Sequence, residues 1–587
     1  MCIRDRKKIT HKLREELKNN LNIHFQIIYK DILDQNEILK LINKVLDLFE
    51  NKDQGITEPN WSQKDIFLIT YGDSIVKTSD NKLKALSKFL NKYCKNHFNN
   101  VHILPFFPYS SDDGFSITDY EIVRPDLGNW QDIKLLSKDF RVMSDIVINH
   151  ASIKSKYFKN FIENKDDTKN FFIKLKNVQE GYESVVRPRS SDLFKEYAIN
   201  DETFYLWCTF SHDQVDFNFK NPKVLFFFIK LIHLYLKNGI RVFRLDAIAF
   251  LWKEYGTNCL NLPQTHEVVK LIRTLLNAYS KNTLLITETN LPNLENLSYF
   301  GENDEANAIY NFALPPLLLW TLVMGDSTAI RKWSMSMPPA KDNTSYFNFI
   351  ASHDGIGLRP TEGILTDKER DTLVDIMTDF GGQTTKRKKV DNTESVYEIN
   401  ISLLDALKGT FFGADHMQLE RFICCHSIML GIEGIPAIYI HSLVGSTNDY
   451  KQVEITNNKR SINRRSWNYD VIDKLLIDID SLNNQIYNEL SKLIDIRKNQ
   501  SAFHPNATQF TFNLGKNFFG FWRQSHDKRQ SIFCVSNVTN VFQYLDLSEL
   551  NLIASNEWWD LISNEIIIDI KSTITLKAYQ TMWITNY

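Results

Sequence analysis

The sequence predicts an α/β chain: a (β/α)8 TIM barrel with two inserted subdomains, an N-terminal helical extension and a C-terminal antiparallel β domain. Three observations carry this. Eight short, almost continuously apolar runs recur between residues 66 and 439, with helical segments between them. Strands of that kind belong to a parallel sheet buried on both faces, and eight of them close a barrel. Two intervals, 150–222 and 355–420, are too long for plain loops. Beyond residue 503 the pattern becomes alternation between turn residues, as in Phe510-Thr511-Phe512 and Ser531-Ile532-Phe533-Cys534-Val535.

Taken in order, residues 1–60 form the extension. Leu13, Leu17, Leu21, Phe25 and Ile28, then Ile38, Leu41, Ile42, Val45, Leu46 and Phe49, recur three to four apart, the spacing of two or three amphipathic helices. Their apolar face must either cap the barrel or join two subunits in a homodimer. The barrel occupies 61–149, 223–354 and 421–503. Its runs begin at Ile66, Val101, Val142, Ile240, Leu284, Ala308, Tyr346 and Ile435. The inserted subdomains are 150–222 and 355–420, and 504–587 is the β domain.

Composition narrows the function. The 587 residues carry 69 basic and 71 acidic side chains, a formal charge of −2, which argues against a strongly basic nucleic-acid binder. No run of about 18 apolar residues exists, so no membrane span is expected. Seven scattered cysteines without CxxC spacing fit neither a disulfide framework nor a zinc site. The charged stretch Met1 to Thr10 lacks a signal-peptide core, and a cytoplasmic location is expected. No phosphate loop or dinucleotide fingerprint appears, so no cofactor is expected.

Barrel strands aim their C-terminal ends at one rim, where active sites form. Polar groups gather at those ends: Asp145-Ile146-Val147-Ile148-Asn149-His150, Arg244-Leu245-Asp246, Thr287-Glu288-Thr289 and Ser352-His353-Asp354. The second strand leads into Ser110-Ser111-Asp112-Asp113-Gly114-Phe115. Burying Asp246, Glu288 and Asp354 together without a use would cost several kcal/mol in repulsion and desolvation. Arg244 is the evident counter-charge. Its nearness predicts a depressed pKa for Asp246, whereas burial and neighbouring anions should keep Glu288 protonated. Asp145, Asn149 and His150 have donor types suited to a cation, but acid/base chemistry here needs no metal, and none is expected.

These motifs resemble the α-amylase superfamily, glycoside hydrolase family 13. With His102 to Pro108, Phe312-Ala313-Leu314-Pro315-Pro316-Leu317 and His353-Asp354-Gly355-Ile356-Gly357, the likeness is closest to the sucrose phosphorylase branch. The resemblance implies Asp246 as nucleophile, Glu288 as general acid/base and Asp354 as transition-state stabiliser, in a retaining mechanism through a covalent glucosyl-enzyme. It implies His150 and His353 as hydroxyl ligands, Phe115 as a stacking platform, and Asp112 with Arg464 as a pair closing the glucose pocket. Such a pocket suits transfer of single glucosyl units to inorganic phosphate, giving α-glucose 1-phosphate. Arg189 matches an anion-site arginine, and Lys386-Arg387-Lys388-Lys389 lies in the second insertion near the acceptor.

Tyr397 and Glu398 fall in the acceptor loop. Sucrose enzymes carry Gln where Glu398 stands, and a different stretch after Glu288. The run Trp252 to Asn258, followed by Leu262-Pro263-Gln264-Thr265-His266, resembles the glucosylglycerate phosphorylases of that branch. The expected partners are therefore a small glucoside, first 2-O-α-glucosylglycerate, and phosphate as co-substrate. Sucrose or sucrose 6'-phosphate phosphorolysis, α-glucosidase-type hydrolysis and an inactive sugar-binding barrel are the alternatives.

Overall fold

Eight parallel strands close a barrel in the computed structural model, which describes residues 3–49, 61–178, 180–189, 191–199, 202–388, 394–553 and 557–586. They are β1 (Phe67–Thr70), β2 (Asn100–Ile103), β3 (Arg141–Val147), β4 (Ile240–Asp246), β5 (Leu284–Thr287), β6 (Ala308–Tyr310), β7 (Ser345–Asn348) and β8 (Ile435–Tyr439). Their order around the barrel follows the chain, and β8 closes onto β1 with Phe67 opposite Ala437. Each apolar run seen in the sequence forms one strand. Only Arg141 and Arg241, near strand starts, are half-buried; the other strand residues are buried.

The extension forms two helices, α1 (Ile3–Tyr29) and α2 (Gln35–Leu48). Asp34 and Glu37 cap α2 reciprocally: the Glu37 amide donates to Asp34 Oδ1 (2.8 Å) and the Asp34 amide to Glu37 Oε2 (3.0 Å). Leu21, Phe25, Ile28, Ile38, Ile42 and Val45 are buried, each contributing about 1.5–3 kcal/mol. They pack on the chain's own barrel, α1 against α4 (Pro263–Tyr279) and α2 against α3 (Pro222–Lys237). His24 lies 2.6 Å from Glu267 and 2.9 Å from Thr274, and the Tyr29 hydroxyl donates to the Phe219 carbonyl (3.0 Å). The remainder of the expected extension, 50–60, lies outside the described residues.

Between β3 and α3 the chain pairs His150–Ser152 with Gln214–Asp216 and builds a three-stranded sheet ending in Glu202–Trp207. Between β7 and β8 stand the helix Asp367–Asp379 and a three-stranded sheet of Ile356–Gly357, Glu394–Asn400 and Gln383–Lys388. After the barrel comes a six-stranded antiparallel sheet running from Thr508 to Asn586. Arg523 of that sheet is buried and donates to the Gly431 carbonyl (2.8 Å), tying it to the barrel side. Cys94, Cys208, Cys259, Cys424, Cys425 and Cys534 are free and buried. Among the described residues no helix is long and apolar enough to cross a membrane.

Candidate active site

Strand register builds the site. Arg244 and Asp246, two apart on β4, share its inward face, and Arg244 sits opposite Asp145 of β3. The Arg244 guanidinium is 2% exposed and donates through Nη1 to Asp145 Oδ1 (2.5 Å) and Asp246 Oδ1 (2.7 Å). Its Nη2 lies 3.8 Å from Glu288 Oε2. His102 of β2 reaches the other Asp145 oxygen at 2.7 Å. One arginine thus serves three carboxyl groups, of which Asp145 is fully buried while Asp246 and Glu288 line the cavity.

Glu288 follows β5, and its amide donates to the Leu245 carbonyl (3.1 Å). Directly after Asp246 the backbone turns left-handed at Ala247 (φ 50°), a conformation that costs a non-glycine residue of order 1–3 kcal/mol. That turn aims the Ala247 amide at Glu288 Oε2, 3.0 Å away. Asp354, beyond β7, lies 2.5 Å from Arg460 Nη1 and 3.4 Å from His353 Nε2.

The three carboxyls differ electrostatically. Burial would raise Asp354, but Arg460, then Arg464 and Arg244, outweigh it and hold the group well below the usual carboxylate range. Burial dominates at Glu288, with Asp354 and Asp145 adding to it against Arg244 and the Ala247 amide, so its pKa is raised. Asp246 departs from the sequence expectation. Burial raises it well above the ordinary value, and Glu288, Asp145 and Asp354 reinforce that against Arg244. Arg244 is shared with Asp145, so its charge does not fall on Asp246 alone. Asp246 and Glu288 are therefore both raised and titrate together, rather than as one lowered and one raised group.

A cavity of about 600 Å³ opens over these groups. It is lined by Asp112, Phe115, His150, Arg189, Arg244, Asp246, Glu288, His353, Asp354, Tyr397 and Glu398, every expected site residue except Arg464. Phe115 stacks on the His353 ring (centroids 4.9 Å apart, 7° between planes). His353 is pushed down to about 3 by burial, and burial likewise lowers His150, so both rings are neutral. His150 Nε2 is 2.9 Å from the Phe115 carbonyl.

Residues 86–354 match the α-amylase catalytic domain. The glucosylglycerate phosphorylase of Spirochaeta thermophila is 38% identical over 533 residues, spanning 89% of this chain and 90% of that protein. That of Escherichia coli is 36% identical over 573 residues, spanning 97% and 100%. The chain belongs to the glucosylglycerate phosphorylase branch of the α-amylase family. Among solved structures, sucrose 6F-phosphate phosphorylase from Thermoanaerobacter thermosaccharolyticum shares the fold, with TM-score 0.71, 23% identity, and 88% of this chain and 98% of that chain covered.

In this α-amylase-family barrel Arg464 departs from expectation, and Glu398 and Lys386 show their partners. Arg464 does not pair with Asp112. Its Nη1 pairs with Asp113 and its Nε donates to the His353 carbonyl (2.8 Å), placing it behind the pocket wall. Both aspartates are left-handed (φ 53° and 46°), and successive residues so turned send Asp112 to the pocket and Asp113 to Arg464. Glu398 is not a free carboxylate: Arg460 holds it with Nε on Oε1 (2.9 Å) and Nη2 on Oε2 (2.8 Å). Lys386 is exposed and pairs with Glu394 at 3.4 Å, outside the cavity lining. Lys389 lies outside the described residues.

Three cavity residues carried no signal in the sequence, Arg460, Gln214 and Phe210. Gln214 Nε2 donates to Asp112 Oδ2 (3.3 Å) and the Phe115 carbonyl (3.2 Å). It arrives through the antiparallel pairing of Ser152 with Gln214, next to His150. A β-bulge explains the neighbours Tyr397 and Glu398. Thr385 pairs with Glu398 and Lys386 with Val396, leaving Tyr397 unpaired, so two successive residues line one cavity. Asp145, Asn149 and His150 do not converge on a cation: Asp145 serves Arg244 and His102, and Asn149 Oδ1 accepts from Lys253 Nζ (2.6 Å).

Proposed function

We propose that the chain is a retaining α-glucosyl phosphorylase whose donor is 2-O-α-glucosylglycerate and whose acceptor is inorganic phosphate. The observation that carries this reading is the convergence of Asp246, Glu288 and Asp354 on one cavity that also holds Arg189. Near-full-length relatives named glucosylglycerate phosphorylase support it.

In the first step a carboxylate oxygen of Asp246 bonds to C1 of the glucosyl unit as the C1–O bond to glycerate breaks. Glu288 gives its proton to that departing oxygen. In the second step a phosphate oxygen bonds to C1, its proton passes to Glu288, and the Asp246 carboxylate leaves. When the pair holds one proton, the productive form has it on Glu288, and Arg244 at 2.7 Å favours the anion on Asp246. Asp354, held ionised, supports the oxocarbenium-like charge. Arg189 suits the anions: its ion pair with Asp112 spans 4.0 Å, leaving the guanidinium fork available for phosphate or glycerate. Every proton in this cycle moves between a side chain and a substrate, with phosphate as the only co-substrate named.

The test supplies α-glucose 1-phosphate with glycerate, fructose, fructose 6-phosphate or glycerol and measures phosphate release. Glycerate is expected to give the fastest release. In the reverse direction, glucose freed at one rate with and without phosphate would overturn the phosphorylase reading in favour of hydrolysis.

A further inference from the structure

Arg460 stands on the short turn Lys459–Asn463 rather than on a barrel strand. Three of its nitrogens reach two carboxylates. Nε and Nη2 grip both oxygens of Glu398, and Nη1 meets Asp354 Oδ1 at 2.5 Å. The Glu398 side chain is 3% exposed. A guanidinium gripped at two edges cannot rotate without breaking a charge-assisted bond.

We propose that Arg460 is a positioning residue for Asp354, and that Glu398 acts through Arg460 rather than on the acceptor. This rests on the glucosyl-transfer reading above. Both Glu398 oxygens are already engaged, so a substrate hydroxyl would have to compete with a bidentate ion pair. Asp354, in turn, has no other guanidinium so near. Arg464 Nη2 is 3.9 Å away and that side chain is committed to Asp113, while Arg244 is committed to Asp145 and Asp246.

The surroundings of Asp354 set the direction of the effect. Its cations are Arg460, Arg464 and Arg244, with neutral His353 beside it. The carboxyls of Asp246, Glu288 and Asp112 share its field, as do the phenols of Tyr71, Tyr310 and Tyr439, which burial keeps neutral. Arg460 is the first of the charges that oppose burial at Asp354, so its loss would move that carboxyl up.

The experiment uses α-glucosyl fluoride with phosphate as the acceptor that frees Asp246; fluoride leaves with its electron pair as Asp246 bonds to C1, and kcat/KM reads that first step. Wild-type enzyme should release fluoride; none released would overturn the glucosyl-transfer reading itself. For Arg460→Gln, Asp354 and the Asp246–Glu288 pair that shares its field lose a cation, so the acid limb of kcat/KM is expected to move up by about one pH unit or more. Arg460→Lys keeps the charge but loses the fork, so its acid limb should stay near wild type while kcat falls about tenfold or more. This variant decides the matter if Arg460→Gln does not fold. Glu398→Gln should slow fluoride release as well as phosphorolysis. A wild-type pH profile in Arg460→Gln, wild-type kcat in Arg460→Lys, or unchanged fluoride release in Glu398→Gln would each overturn the proposal.

Discussion

Lys253 Nζ lies 2.7 Å from Asp216 Oδ2, with the two side chains 5% and 0% exposed. The same ammonium meets Asn149 Oδ1 at 2.6 Å, and Asp216 also accepts from the Thr209 amide (3.0 Å) and hydroxyl (2.6 Å). The rim of β3 is thereby fastened to the insertion that carries Gln214. Removing one partner of a buried pair costs about 3–5 kcal/mol, because the other charge stays buried alone. Lys253→Met should lower the urea midpoint accordingly, and Lys253→Met with Asp216→Asn should recover part of the loss. An unchanged midpoint in the single variant would contradict this account.

Asp246→Ala should abolish transfer from every donor, since the proposed first step forms its bond to C1 on Asp246; near-wild-type transfer would remove Asp246 from that role. Glu288→Gln should differ by leaving group. Phosphorolysis of glucosylglycerate, which needs a proton, should fall about 10²–10⁴-fold. Fluoride release should persist. Equal losses with both donors would remove Glu288 from the acid role.

The pH profile follows from the raised pKa of Glu288, where burial, Asp354 and Asp145 outweigh Arg244 and the Ala247 amide. The acid form works below that pKa, so the rate with glucosylglycerate is lost as pH rises through it. With α-glucosyl fluoride the alkaline limb should vanish. Its survival with that donor would assign the limb to another group.

Arg189→Ala should raise the KM for phosphate about tenfold or more, because a phosphate–arginine fork is lost. Fluoride release in the absence of phosphate should be little changed. Saturation with phosphate at wild-type concentrations would place the anion elsewhere.

Stability carries its own pH signature. His426 is fully buried and pushed down to about 4 by that burial. Its unfolded value is about 6.5, so the unfolded state binds a proton that the folded state does not. This contribution is present above pH 6.5 and is lost as pH falls toward 4. Urea midpoints measured at pH 7 and pH 5 should differ less in His426→Leu than in the wild type; an equal difference would refute the assignment.

The barrel was legible because parallel strands are buried on both faces and so appear as unbroken apolar runs, each ending at the rim. Residues at those ends, Asp246, Glu288 and His353 among them, could be read by position alone. Arg460 could not, since it sits on a turn with no periodic pattern and reaches Asp354 only through tertiary packing. Gln214 depends on an antiparallel pairing within an insertion. Asp112 and Asp113 are chemically identical neighbours, and only the left-handed backbone decides which faces the pocket. The Asp246 expectation failed for a related reason: sequence proximity showed one arginine, but not that Asp145 draws on the same charge.

The unpaired Tyr397 has a consequence for how such a pocket can diversify. On a regular strand, one of Tyr397 and Glu398 would turn away from the sugar. Here the parity of the hairpin, an extra residue on one strand against its partner, determines which side chains line the cavity. Losing that residue, or gaining one opposite it, would exchange the inward and outward sets at a stroke. The lining of this cavity is therefore open to change by loop length as well as by replacement of side chains.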